Sequence, residues 1–355
     1  MISSMHVIGS RASGGAERFY ARLCLALHAR GMQVTAVNPP GSSVSAMLGP
    51  DFAQTHVRMR NIWDLLAMAK IRGAAKRARP DIVQTYMGRA TRLSRFSRSP
   101  IVHVARLGGF YNVKGYRHVD AWVGNTKGIC DHLVRHGCPA SKVFHIGNFV
   151  FDEPVVENRQ TLRQRLGISS ESIMIFSAGR LIARKGYQDL LGALSRLPSE
   201  ISGRPWHCVV AGDGADRASL EEQTVSAGLA DRLTWTGWLD APGDYYNAAD
   251  LFVCPSRWEP LGNVILEGWR HRLPVVSTAS QGALELITDG EDGLLCQPEN
   301  PAALSECVHR ALALGDDERA ALGQRGNATL EASHSEAKVT EQYVQLYEAL
   351  LAKRA

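Results

Sequence analysis

Short apolar runs alternate with amphipathic stretches along all 355 residues of this chain, and the alternation starts afresh near its middle. Such a pattern predicts strand–helix units, and so parallel sheets covered by helices: an α/β chain of doubly wound type. In the first series, residues 5–9 read as a strand and 16–30 as a helix with Phe19, Leu23 and Leu27 on one face, ended by Gly31. Residues 34–37, 82–86, 101–105 and 121–124 read as strands, 62–79 as a basic helix closed by Pro80, and 127–136 as a helix closed by Gly137. The second series has strands at 173–178, 206–211, 233–236, 251–255 and 274–277, with helices at 186–197, 217–228 and 264–271. Between the series, residues 148–159 break both periodicities with Asp152, Glu153, Pro154 and Asn158. Two domains are therefore expected, 1–150 and 151–334, followed by a final helix over 335–355.

Hydrophobic residues form 45% of the chain and charged residues 21%, the balance of a soluble globular protein. No apolar run approaches the ~18 residues of a membrane span, and the N-terminal stretch reads as a strand entering a loop rather than a signal peptide. The seven cysteines are scattered, odd in number and without a CxxC pair. That favours a reducing compartment, hence the cytoplasm, over a zinc site or disulfide framework. Charge is uneven: residues 51–120 hold 14 Lys/Arg against 4 Asp/Glu, and the chain beyond 120 is net acidic. A basic face suits a phosphorylated substrate, an anionic membrane or nucleic acid, or is simply a solvated surface. No nucleic-acid-binding motif accompanies it.

Three loops carry chemistry. In the segment 255–268, PSRWEPLGNVILEG, Glu259 and Glu267 stand with seven residues between them. Glu259 falls in a loop after a strand, where ligands bind in open α/β sheets, and Glu267 falls on the helix that follows. The amides of Gly262, Asn263, Val264 and Ile265 form that helix's N-terminus, suited to phosphate or sugar oxygens, and carboxylates suit paired hydroxyls. Equally, Glu259 can cap the helix and Glu267 can meet Arg270. In the segment 177–186, SAGRLIARKG, Arg180 can grip a phosphate with two N–H groups and Lys185 adds a point charge, enough to neutralise a diphosphate without a metal. An ordinary basic loop is the alternative. Gly14 and Gly15 open the first helix and allow close backbone approach, but the pattern is not GxGxxG and no acidic residue follows at the ribose distance, which argues against a nicotinamide dehydrogenase.

Together GGAE, AGRLxxxKG, AGDG (211–214), AADLFVCPS (248–256) and the E-x7-E pair resemble family-4 glycosyltransferases of the GT-B fold, in the right order over nearly the whole chain. Gly147-Asn148 is similar to that family's turn between domains. The resemblance implies two Rossmann-like domains facing each other across a cleft, the first for the acceptor and the second for a nucleotide-diphosphate sugar, with the last helix crossing back to the first. It implies retention of anomeric configuration, a UDP-linked donor as co-substrate, and no cofactor or metal. By position, Arg180 and Lys185 resemble the diphosphate clamp, Glu267 the ribose ligand, and Glu259 the carboxylate on the donor sugar. Gly15 resembles the glycine facing the donor phosphate, and Trp238 stands where a residue flanks the nucleobase, unless it is a core tryptophan. Where many relatives carry a histidine near the acceptor, this chain has Arg106, which stays protonated and can bind an anionic acceptor or the departing phosphate. His103 points elsewhere on the strand and reads more as a strand residue than a base. RLGGFYNVKGY and GNTKGICDHLV are similar to bacterial lipopolysaccharide-core and cell-envelope enzymes. The expected activity is hexosyl transfer to a glycan or glycolipid, with the protein in the cytoplasm or peripheral on the inner membrane through the helix 62–79, which can equally pack on the first sheet. A sugar-nucleotide epimerase or phosphorylase relative and a non-catalytic binding protein are the other readings.

Overall fold

Near-continuous Val, Ile and Leu runs suit strands covered on both faces, and they form two parallel sheets here. The structure, a computed structural model, describes residues 2–12, 14–96, 99–151 and 155–353; Asp152, Glu153 and Pro154 of the expected boundary lie outside them. The chain divides into two compact units, one made of Met1–Phe149 with Ser335–Ala355, the other of Val150–His334.

The first unit contains β1 (Ser3–Ile8), β2 (Gln33–Asn38), β3 (Gln54–His56), β4 (Ile82–Tyr86), β5 (Val102–Leu107), β6 (Ala121–Gly124) and β7 (Val143–His145). They lie parallel in the order β3-β2-β1-β4-β5-β6-β7. Every residue of β4 and β5 is buried. The last helix, Glu336–Ala352, belongs to this unit because its aromatic face enters the core. The Tyr347 hydroxyl donates to Gln84 Oε1 (2.8 Å), the Gln84 amide donates to the Tyr86 hydroxyl (2.7 Å), and Tyr343 packs against Phe19.

In the second unit, β8 (Ile173–Ala178), β10 (Arg204–Ala211), β11 (Leu233–Gly237), β12 (Leu251–Cys254), β13 (Val275–Thr278) and β14 (Leu294–Cys296) are parallel, in the order β11-β10-β8-β12-β13-β14. The short β9 (Glu200–Ile201) pairs antiparallel with β10. Alternate residues of β8 enter opposite cores. Ile173 and Ile175 join Leu190, Leu194 and Val308 on one face, while Met174 and Phe176 join Tyr246, Phe252 and Trp269 on the other. Buried Arg163 fastens the edge of this packing by donating to Asp250 Oδ2 (2.6 Å) and to the carbonyls of Ala248 and Ser172.

The structure departs from the expectations at several elements. The basic helix begins at Leu65, because the Asp64 carboxylate caps it by accepting from the Ala67 amide (2.9 Å), and it ends at Ala78 with Arg79 left-handed ahead of Pro80. Two helices, Pro301–Ala313 and Asp316–His334, follow the second sheet where no helix is predicted.

Candidate active site

From β8 the second sheet grows one way through β10 and β11 and the other way through β12, β13 and β14. The loops leaving the C-terminal ends of β8 and β12 therefore lie side by side where strand order reverses, the place where open α/β sheets bind ligands. These are the AGRLxxxKG and E-x7-E loops. Their contact is close. Gly186 is left-handed (φ 70°), and a Cβ there would fall 3.0 Å from the Pro255 carbonyl carbon and nearer still to its oxygen. Arg257 donates two hydrogen bonds to Asp189 (2.6 and 2.7 Å), tying the second loop to the helix Tyr187–Leu194. The Trp258 amide donates to the Arg184 carbonyl (3.1 Å), and the Thr278 hydroxyl holds the Ser256 carbonyl (2.6 Å).

On this frame the Lys185 ammonium donates to Glu259 Oε2, both side chains mostly buried, although 74 residues separate them. Glu259 is thus not a helix cap: the N-cap of Asn263–Arg270 is Gly262, left-handed at φ 90° and without a side-chain cap bond. Arg270 pairs with Glu331. Half-buried Glu267 accepts from the hydroxyl of Tyr246 (3.0 Å), whose ring stacks on His271 at 5.2 Å. Arg180, in the same loop as Lys185, is exposed, and its side chain has no hydrogen bond or ion pair with any described residue. The AGDG segment braces its loop: the Gly179 amide donates to the Ala211 carbonyl and the Leu181 amide to the Asp213 carbonyl (both 2.9 Å). Trp238 follows left-handed Gly237 at the end of β11; it is 42% exposed, so it is not a core residue, and its Nε1 donates to Asp240.

Two cations, two carboxylates and the amides of Gly262, Asn263 and Val264 at a helix N-terminus thus share one sheet edge, an arrangement able to hold an anionic group beside a polyol. Sequence reasoning missed Tyr246 and the Arg257–Asp189 pair. The signal for the second was present as an Asp one turn into the helix whose N-terminal loop carries Lys185.

In the first unit the strand order reverses between β1 and β4. Gly14, extended, is the N-cap of the helix Gly15–Ala29 beyond β1, and a Cβ on it would press on the buried Glu17 carboxylate at 2.9 Å. The helix Met87–Leu93 follows β4 directly, and its first residue, Met87, has φ 65°, a strained conformation for such a side chain. Arg106 closes β5. It is 3% exposed, its guanidinium lies 4.0 Å over the Phe19 ring and donates to Asn148 Oδ1, and its Nε has no hydrogen-bond partner. His103, the other acceptor-side candidate, lies inside the core. It is 2% exposed, accepts or donates at Thr85 Oγ1 (3.1 Å), and faces Phe96 and His118 in the core. Burial, with His118 adding to it, pushes its pKa down to about 3, so the ring is neutral and enclosed.

Comparison with known proteins agrees with this geometry. Residues 158–329 match Glycosyl transferases group 1, and residues 13–153 match Glycosyltransferase Family 4. The chain is 31% identical over 336 residues to the lipopolysaccharide core biosynthesis glycosyltransferase LpsE of Rhizobium meliloti (strain 1021), covering 94% of this chain and 95% of that one. It is 28% identical over 346 residues to LpsD of the same organism, a protein of the same description, covering 96% and 97%. The crystal structure of Anabaena HepE in complex with UDP and glucose is similar with a TM-score of 0.85 at 18% identity, over 98% of this chain and 100% of that one, and so shares its fold. With two parallel-sheet units, these loops at the strand-order reversal and such relatives, the chain belongs to the family-4 glycosyltransferases of the GT-B fold.

Proposed function

We propose that this glycosyltransferase moves a hexose from a UDP-linked donor to a hydroxyl of lipopolysaccharide core, a cell-envelope glycolipid, with retention at the anomeric carbon. The observation that carries the reading is the pairing of Lys185 with Glu259 beside exposed Arg180, at the reversal point of the second sheet. An ammonium has three donors, so Lys185 keeps two for phosphate oxygens while bonded to Glu259. Arg180 adds a two-pronged grip, and the helix N-terminus at Gly262–Val264 adds partial positive charge. As the bond from the anomeric carbon to the diphosphate oxygen breaks, negative charge grows on the leaving group, and these fixed groups stabilise it. The acceptor oxygen bonds to the same face of that carbon, and its proton passes to the released diphosphate. In this scheme Glu259 holds sugar hydroxyls, Glu267, steadied by Tyr246, holds the ribose, and Trp238 lies along the base.

The acceptor class rests on the names of LpsE and LpsD, and the base on the UDP bound to HepE. The basic surface of residues 51–120 suits a phosphorylated acceptor presented at the cytoplasmic face of the inner membrane. No described helix is long and apolar enough to cross a membrane.

Thermal shift against UDP-, GDP- and ADP-sugars with EDTA present tests the donor side, since a ligand of the folded state raises its melting point. A UDP-sugar shift that survives EDTA and disappears in Arg180→Ala is expected. A shift that needs a divalent metal, or persists undiminished in Arg180→Ala, rejects the metal-free clamp. Release of UDP with no glycosylated product from any envelope glycolipid rejects the transfer assignment.

A further inference from the structure

The first unit bears a groove of about 480 Å³ remote in sequence from every loop of the second unit's site, a volume typical of small-molecule sites (~300–1,000 Å³). One wall is apolar, made of Ile62, Trp63, Leu65 and Met68; the other carries Arg92, Arg95 and Lys114, with Gly115 at its base. The apolar wall is not spare core. The helix Leu65–Ala78 buries Ala67, Ile71, Ala74 and Ala75 against the sheet, whereas Trp63, Leu65 and Leu66 at its N-terminal end are 79%, 77% and 63% exposed. Three large apolar side chains in a row facing water are a surface that awaits an apolar partner.

The cationic wall is equally without a match. Arg92, Arg95 and Lys114 form no ion pair with any described residue, and Arg92 Nε is buried with no hydrogen-bond partner. The guanidinium reaches the groove only because residue 115 is glycine: a Cβ there would lie 2.9 Å from Arg92 Cζ. The one carboxylate of the 57–79 stretch, Asp64, is spent on the helix cap, accepting from the amides of Ala67 and Arg60, and these bonds hold it below the usual carboxylate range.

We infer that this groove seats an anionic phospholipid of a bilayer surface, with Trp63, Leu65 and Leu66 entering the acyl layer and Arg92, Arg95 and Lys114 on the phosphate. Apolar insertion beside a basic rim is what peripheral attachment to an anionic membrane requires, since one signal alone holds weakly. The inference deepens the proposed function, naming how the enzyme reaches a membrane-held acceptor, and rests on that reading for its purpose only.

The test is flotation of the full chain with vesicles of phosphatidylcholine alone, or with roughly one-third phosphatidylglycerol. Binding to the anionic vesicles, weak on the neutral ones, is expected. Arg95→Ser with Lys114→Ser should lower it about fivefold per charge. Trp63→Ser with Leu65→Ser should lower it on the order of tenfold, while Val225→Ser, a 69% exposed apolar residue of the other unit, leaves it unchanged. Lipids brominated along the acyl chain should quench a fluorescence component that Trp63→Phe removes. Anionic binding that ignores the Trp63/Leu65 pair overturns the groove in favour of general charge attraction. Equal competition by a soluble phosphorylated sugar overturns the lipid in favour of a free glycan. Donor thermal shifts run on the unaltered chain and on the same variants keep the two readings apart: an unaltered chain that keeps its donor shift but does not float sinks only the groove, and one that floats as expected but shows no donor shift sinks only the proposed function.

Discussion

Gly167 and Gly186 share a backbone angle, φ 70°, and differ in surroundings, which isolates how the site loops meet. A Cβ on Gly167 would find nothing within 4 Å, whereas one on Gly186 would strike the Pro255 carbonyl. Gly167→Ala therefore costs only the left-handed penalty of ~1–2 kcal/mol, offset by ~0.4–1 kcal/mol from the stiffer unfolded chain, or about 1 kcal/mol net. Gly186→Ala adds overpacking of ~1–3 kcal/mol, at the upper end because the obstacle is backbone rather than a rotatable side chain. The sum is roughly 3–4 kcal/mol. For a unit of this size each kcal/mol moves the midpoint by ~2–4 °C, so a fall of about 10 °C stands against about 3 °C in the control. Five of the seven tryptophans, Trp206, Trp235, Trp238, Trp258 and Trp269, lie in the second unit, so tryptophan fluorescence follows its melting. Moving the Pro255 carbonyl also moves Glu259 four residues on. Turnover at a temperature where both variants are folded should fall on the order of 10²-fold in Gly186→Ala, the usual effect of a misplacement near 1 Å, and hardly at all in Gly167→Ala. Equal melting points and equal turnover in the two variants would refute the contact and the registration of the loops it sets.

Arg180→Ala and Lys185→Ala should each lower kcat by ~10²–10³, read in single-turnover transfer assays; near-normal rates in both would remove the electrostatic account. Tyr246→Phe frees one oxygen of Glu267 and should raise the donor KM by a few-fold, with kcat nearly unchanged, if that carboxylate binds donor in ground and transition states alike. Arg106→Met, which removes a buried cation that has no ion pair among the described residues, should leave the first unit within ~1–2 kcal/mol of its stability; a drop in kcat/KM of tenfold or more would then mark an acceptor role over a structural one. His6 and His103 have pKa values pushed down to about 3 by burial, so between pH 6.5 and 3 the unfolded chain binds protons that the folded unit does not. Stability must fall as pH falls through that window, by roughly 2 kcal/mol per histidine at pH 5, and His103→Asn should make the slope in urea denaturation shallower, with His6, His118 and His207 supplying the rest; a flat profile would show that the rings are hydrated.

Strands buried on both faces were readable because their composition leaves little choice: β4, β6 and β8 have the limits that their apolar runs suggest. Of the strands that escaped, β9 is only two residues long, and β3, β7 and β14 are each three residues long and close an edge of a sheet, where half the surface is wet and no apolar run is required. The helix Asp316–His334 escaped for a different reason. Gly323 and Gly326 read as breakers, yet they sit mid-helix because a Cβ would come 2.7 Å from the Arg272 carbonyl carbon and 2.9 Å from Cγ of the Trp269 ring, and nearer still to that ring's Cδ1. Close packing, a tertiary fact, overrode helix propensity there. At the site, the loops carried recognisable residues, but the partners of Glu259 and Glu267 lie 74 and 21 residues away and depend on which strands are neighbours.

The helix expected over 62–79 makes the same point about function. Taken as one amphipathic stretch, it offers two competing uses for a single apolar face, the sheet or a membrane. Asp64 divides it, since a carboxylate that caps the helix at Leu65 must leave Ile62 and Trp63 outside the helical turn pattern. Beyond the cap, Ala67, Ile71, Ala74 and Ala75 are small enough to bring the helix close to the sheet. Trp63, Leu65 and Leu66 are then held at the rim, where neither the helix period nor the sheet can bury them. With the proposed lipid seat, the two uses fall to different residues of one segment, and the position of the cap decides which residue is available for which.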